Sequence, residues 1–338
     1  MKLNKLQITL IIVLLISGLS GGEYADSFLR TGVSARSIAL GNSIGILDTT
    51  ETGFLSNPAG LAYQNKIRLG FMYTSQFGLA DYNYFGLSFP LFRQPRTSLT
   101  LSWIRFQVDD IFYRPDIIKE IPDQLKRRDS VIQFSNKPFQ TFQDQEEAIF
   151  ISLARLVNKS ISFGWKYASF DLRLPIGLNF KILRKELAAN KGMGLGMDLG
   201  TGVKINANYF WGIYNLGDIF IGLNFRDFFG TTIYWNSKKQ DNISPSTAIS
   251  MAFVQPVKFY KSSLGICTEF DSRYSTFHYG AEFSLLQKIA FRAGINDKNL
   301  AMGVGLKFPF LRKLIRLDYS FKNHDLGAVH RIGGGLVW

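Results

Sequence analysis

From residue 66 to residue 338 the chain repeats one unit, a run of about ten residues in which apolar side chains alternate with polar or small ones, closed by a turn. Successive side chains of a strand point to opposite faces, so each run offers one face to an apolar medium and the other to a polar one. In 66–76, Ile67, Leu69, Phe71 and Tyr73 oppose Lys66, Arg68, Gly70 and Thr74; in 97–103, Leu99, Leu101 and Trp103 oppose Ser98, Thr100 and Ser102. Comparable runs cover 160–167, 176–182, 192–199, 277–285, 289–295, 302–308, 315–321 and 329–338, with weaker ones near 80–90, 146–156, 218–228, 246–256 and 258–270. These are fifteen candidates. Single-chain bacterial barrels have an even number of strands because both termini lie on one side, so one candidate is surplus. The expectation is an all-β, transmembrane antiparallel barrel of about 14 strands. A soluble sandwich would also alternate, but it would bury its apolar faces and needs no aromatic girdle.

The last run places Ile332, Leu336 and Trp338 on one face. A terminal aromatic on an alternating strand suits a barrel that must close on itself, since an open edge is not tolerated in lipid. These residues read as a barrel-assembly signal, with the barrel-assembly machinery and outer-membrane lipid as partners. At the other end Lys2 and Lys5 precede an unbroken apolar stretch at 10–16 and the small residues Ser17, Gly18, Ser20, Gly21 and Gly22. This is the layout of a secretory signal over 1–22, too short for a spanning helix. The mean hydropathy of +0.03 with 14% aromatics and 31 glycines fits outward apolar positions alternating with inward polar ones, and excludes a helical membrane protein. The expected location is the bacterial outer membrane.

Two stretches break the repeat. Residues 109–145 contain Arg114-Pro115-Asp116 and Lys126-Arg127-Arg128-Asp129 and read as a long extracellular loop with a short helix around 117–125. Residues 23–65 precede the barrel and are rich in small apolar residues, which argues for a plug folded into the lumen ahead of the barrel at 66–338. Within the plug, Asn57, Pro58, Ala59 and Gly60 form a turn in which Pro58 fixes one backbone angle and Asn57 can cap its neighbour.

On the alternation, Arg68, Lys166, Lys181, Arg226, Arg292, Lys307, Arg316 and Arg331 point inward, against Asp198, Glu269, Glu282 and Asp318. Such charges pair across strands or bind the plug; the alternative is a basic surface attracting an anionic substrate such as a fatty-acid carboxylate. The net charge of +13 has no basic helix or aromatic-basic motif behind it, so nucleic acid is not an expected partner; anionic lipid head groups or an acidic partner fit better. Cys267 is the only cysteine, which excludes a disulfide framework or thiolate cluster. Glycines at 192, 194, 196 and 200 recur with the strand period rather than as a phosphate loop, and leave an inner face with room for a plug. His278, His324 and His330 lack metal-ligand spacing, and His278 beside Glu282 reads as pore lining. No catalytic residue, metal or cofactor is expected.

The run Ser34-Ala35-Arg36-Ser37-Ile38-Ala39-Leu40-Gly41 followed by Asn57-Pro58-Ala59-Gly60-Leu61-Ala62 resembles the N-terminal signature of the PorV/PorQ family, a branch of the FadL-like outer-membrane barrels. The resemblance continues through Gly196-Met197-Asp198-Leu199-Gly200, Phe291-Arg292-Ala293-Gly294, Leu317-Asp318-Tyr319-Ser320 and Leu326-Gly327-Ala328-Val329-His330-Arg331. It implies a fourteen-stranded barrel with 23–65 as its plug. It also implies one of two non-enzymatic roles. PorV-type proteins receive secreted cargo in the type IX secretion system and pass it to a surface attachment enzyme, whereas FadL-type relatives transport hydrophobic small molecules.

Overall fold

The computed structural model describes residues 25–91, 96–113, 121–135, 140–162, 169–208 and 215–338. The signal expected at 1–22 and the inward Lys166 lie outside them. Fourteen antiparallel strands close into a ring. They are β1 (Arg68–Gln76), β2 (Ala80–Pro90), β3 (Thr97–Phe112), β4 (Thr141–Ser162), β5 (Ser169–Leu187), β6 (Asn190–Asn206), β7 (Asp218–Arg226), β10 (Ser246–Val257), β11 (Ser262–Asp271), β12 (Thr276–Leu285), β13 (Ile289–Asn296), β14 (Asn299–Phe310), β15 (Lys313–Lys322) and β16 (Val329–Val337). A hairpin of β8 (Thr231–Trp235) and β9 (Gln240–Ile243) pairs with the end of β6 that β7 leaves free.

The ring shuts where the last strand meets the first: β16 runs beside β1 from Arg68↔Val337 to Tyr73↔Ile332. Ile67 and Trp338 exchange a pair of backbone hydrogen bonds of 3.0 and 3.1 Å, so pairing extends to the last residue. Outward side chains form an apolar belt, with Phe71 and Ile332 left 49% and 62% exposed, while their inward neighbours are buried. Among the described residues no helix is long and apolar enough to cross a membrane; the strands do the crossing.

Three sequence expectations are corrected. The run at 160–167 is not a strand of its own. β4 and β5 pair continuously to Ser162↔Ser169, so 160–162 end β4 and 163–168 lie outside the described residues. Removing that candidate leaves the fourteen. The loop at 109–145 is shorter, since β3 continues to Phe112 and β4 begins at Thr141; its helix is α4 (Gln124–Ser135), which shares only 124–125 with the expected 117–125, of which 117–120 lie outside the described residues. The cause is physical. Above the belt both faces of this wall meet water, and the outward row Asn83, Arg105, Glu147, Arg184 is polar across four adjacent strands, which erases the alternation. The β8–β9 hairpin was unforeseen for the same reason: its buried Ile233 and half-buried Trp235 rest on the inner face of β6 at Gly194 and Gly192, not on lipid.

Residues 25–64 fill the lumen. They form three short helices, α1 (Ser27–Arg30), α2 (Ala35–Ala39) and α3 (Gly53–Ser56), with single 3-10 turns at Gly45–Leu47 and Pro58–Tyr63. Ser34 caps α2, and Asn57 caps the second 3-10 turn by accepting from the Ala59 N–H at 3.0 Å, with Pro58 in the first turn where its missing donor costs nothing. Phe54, Leu61 and Phe28 of this segment pack against Tyr82, Tyr84, Ile104, Phe150 and Leu183 of the wall. Glycine on the wall admits the close approach. A Cβ at Gly177 would strike the backbone of Pro58 and Ala59, and one at Gly200 would strike Asn57 and the Pro58 ring. Gly177→Ala and Gly200→Ala should therefore each lower stability by about 1–3 kcal/mol in urea unfolding of the detergent-solubilised protein. Gly265→Ala, whose Cβ would have its nearest neighbours at 3.8 Å, should stay within about 0.5 kcal/mol.

Candidate functional site

Three polar assemblies join the luminal segment to the wall. The first is a chain of ion pairs that begins and ends on the segment. Arg36 grips Glu282 of β12 through two bonds of 2.9 and 2.8 Å. Arg292 of β13 links Glu282 at 2.6 Å to Asp318 of β15 at 2.7 Å. Arg316 then joins Asp318 at 3.0 Å and Glu51 of the segment. Arg292, Asp318, Arg316 and Glu51 are all buried, so this chain lies in a low-dielectric interior where pairing is obligatory. Because Glu282 is held by two arginines, it forms no acid-base pair with His278, whose Nε2 lies 3.1 Å from Thr276 Oγ1.

The second assembly satisfies the segment's backbone. Asn179 and Asn224 donate to the carbonyls of Phe54 and Ser56, each at 2.8 Å, Ser98 to that of Leu61 at 2.8 Å, and Tyr84 to that of Glu51 at 3.1 Å. Asn57 reaches the other way, donating to the carbonyls of Thr201 and Leu223 at 3.2 and 3.3 Å. A segment too irregular to satisfy its own backbone thereby borrows partners from the barrel.

The third surrounds a cavity of about 100 Å³ under the rim opposite the chain ends. Lys181 sits 2.8 Å from both Asp198 and Asp227, Arg273 joins Asp227 at 3.0 Å and also Asp26, and Arg226 holds Asp271 at 2.6 Å and Glu269 at 3.1 Å. Leu29, Val33 and Leu55 of the segment and Phe150 of β4, the cross-strand partner of Lys181, supply the apolar part of the lining. Arg30 lies over the Tyr274 ring at 4.0 Å. Burial raises the Tyr274 hydroxyl above its ordinary range, against the pull of Arg273 and Arg30.

Of the inward charges read from the sequence, Lys181, Asp198 and Arg226 meet at the cavity, and Glu282, Arg292, Arg316 and Asp318 meet in the ion-pair chain. Arg68 and Arg331 join neither. Arg331 lies in a cross-strand row with Ser320, Thr74 and Tyr82, and its Nε and Nη1, together with the three hydroxyls, have no hydrogen-bond partner among the described residues. The sequence reading missed Asp26, Arg36, Glu51, Asp227 and Arg273 as pairing groups. The signal was available for Arg36 and Glu51, charges standing in a run of small apolar residues that had to be buried.

The outer surface decides where such a molecule resides. An uninterrupted apolar belt around a ring with no free edge, enclosing charges, is stable only across a lipid bilayer. The protein is a barrel of the bacterial outer membrane.

No protein-family model matches this sequence, and no curated protein matches it. Among solved structures the barrel is similar to the Pseudomonas putida toluene transporter TodX, at a TM-score of 0.44 and 9% identity over 90% of this chain and 97% of that one. It is also similar to the monoaromatic hydrocarbon channel CymD, with a TM-score of 0.34 and 8% identity over 91% of this chain and 97% of that one. CdiB from Acinetobacter baumannii gives a TM-score of 0.41 and 10% identity over 81% of this chain and 60% of that one. Scores at this level leave the assignment to the barrel's own geometry.

The paired and unpaired arginines should respond differently to truncation. Arg292→Met leaves the buried Asp318 with Arg316 alone and the half-buried Glu282 with Arg36 alone, and should cost about 2–3 kcal/mol, whereas Arg331→Met removes no ion pair found among the described residues and should lie within about 1 kcal/mol of wild type. Urea midpoints of the two variants in one micelle system check this.

Proposed function

We propose that this barrel transports a hydrophobic small molecule with a polar end, taken up from the outer side. The observation that carries the reading is the cavity beneath the outer rim. Its apolar lining of Leu29, Val33, Leu55 and Phe150 suits an apolar body, and Lys181, Arg226 and Arg273 beside it suit an anionic head once their acidic partners yield. That apolar lining belongs largely to the luminal segment, which is bound to the wall by ion pairs and hydrogen bonds around the lumen. Such a filler can shift in one piece when its polar contacts exchange, which a covalently continuous wall cannot.

Uptake of radiolabelled oleate by cells lacking their own import route tests this. Cells making the protein should accumulate oleate, and Leu29→Trp, which fills the cavity, should lower the rate about tenfold or more with the folded barrel at its normal level. Equal uptake with and without the protein would remove the transport reading.

A second reading is a carrier or docking protein for secreted cargo. It is favoured by the wall of β3 to β5, which rises above the belt with a polar outer row and carries α4, where Leu125 is 71% exposed beside Lys126, Arg127 and Arg128. Deleting 113–140 should then abolish copurification of a stoichiometric protein partner while leaving oleate uptake unchanged; the opposite pattern supports transport alone.

A further inference from the structure

We propose that the rim bearing the chain ends is an anionic-lipid collar, binding phospholipid phosphates of the inner leaflet around the barrel. β1 begins and β16 ends at this rim, which places it on the periplasmic side. Four of its connections carry cations without acids, while β7 opens on this rim with Asp218, paired to Lys204 at 2.7 Å. Arg96 ends the β2–β3 turn, Lys258 and Lys261 the β10–β11 turn, Lys288 the β12–β13 turn, and Arg312 and Lys313 the β14–β15 turn. All six are exposed, and none forms an ion pair among the described residues. The opposite rim mixes signs, with Asp271 next to Arg273 and Asp297 beside Lys298.

The height of these cations points to lipid. The outward apolar row runs directly into the turns: Val257 precedes Lys258, Ile289 follows Lys288, and Phe310 precedes Leu311 and Arg312. The charges therefore stand within a residue or two of the hydrocarbon edge, at the level of the phosphates. Exposed Phe259, Tyr260 and Leu311, the last 78% exposed, sit beside them as interfacial anchors, and Lys313 Nζ lies 5.3 Å from the centre of the Trp338 ring. The cations recur at one height on four turns, along the arc from β10 through the β16–β1 seam to β3, each beside the apolar belt, which fits a layer of head groups.

Backbone geometry gives independent support. Tyr260-Lys261, Leu286-Gln287 and Leu311-Arg312 are consecutive pairs with both φ angles positive, between 43° and 64°. Two-residue turns of this kind favour Asn-Gly, because long side chains are disfavoured in the left-handed region. Tyr260, Leu286 and Leu311 bear that cost while exposed at the edge of the belt, where an interface could use their side chains.

The test uses the full-length protein in vesicles of phosphatidylcholine with about 20% phosphatidylglycerol, followed by native mass spectrometry of retained lipid. Wild type should retain phosphatidylglycerol about fivefold above its bulk share, an excess that high salt abolishes. A collar variant, Lys258→Gln, Tyr260→Asn, Lys261→Gly, Lys288→Gln, Leu311→Asn and Arg312→Gly, relaxes two turns and so should fold at least as well while retaining lipid at the bulk ratio. Lys126→Gln with Arg127→Gln and Arg128→Gln on α4 should keep the enrichment. A bulk ratio in wild type overturns the proposal, as does enrichment that survives in the collar variant or is lost only in the α4 variant.

Discussion

Lipid offers no partner to a backbone amide, and the rest of this structure follows from that constraint. Each unpaired group costs several kcal/mol in hydrocarbon, so strands can cross only if the last one finds the first. Here the seam runs from Ile67 and Trp338 to Tyr73↔Ile332. A ring of fourteen strands is wider than wall side chains can fill, unlike an eight-stranded barrel, and so its interior requires a second component. Residues 25–64 are that component.

The wall and its filling are matched chemically as well as sterically. The filling is irregular, with helices of four or five residues, and leaves many backbone groups without internal partners. The wall answers with Asn179, Asn224, Ser98 and Tyr84, and the segment answers with Asn57. Charge is distributed on the same plan: Arg36 and Glu51 on the segment terminate a chain whose middle, Arg292, Asp318 and Arg316, belongs to the barrel. A contact made of hydrogen bonds and ion pairs is specific in register yet exchangeable, since water or a charged ligand can replace either partner. That property makes the filling a candidate moving part.

The two rims differ in the same spirit. On the outer side the wall of β3 to β5 leaves the membrane, and its outward face turns from Leu101, Trp103 and Ile149 to Arg105 and Glu147 within one or two alternations. On the inner side the β10–β11, β12–β13 and β14–β15 turns stop at the belt and keep cations there. One rim is thus shaped to meet solvent and the other to meet head groups.

Sequence alone determined the class of this protein. A period of two sustained across most of the chain, with a terminal aromatic strand, admits a membrane barrel because the pattern is imposed locally, residue by residue, by lipid on one side and a polar lumen on the other. It also placed Asn57 and Pro58 in a capped turn, since capping is a neighbour-to-neighbour effect. Where lipid no longer faced the strand, at 105–112 and 141–147, the pattern faded and the boundaries were misread. Only the tertiary structure decided that Arg36 meets Glu282, that Arg273 closes on Asp26 and Asp227, and that Arg331 finds no acid among the described residues. These pairings join residues as many as 247 positions apart, and which inward charges meet depends on the fold of the filling, which no alternation records.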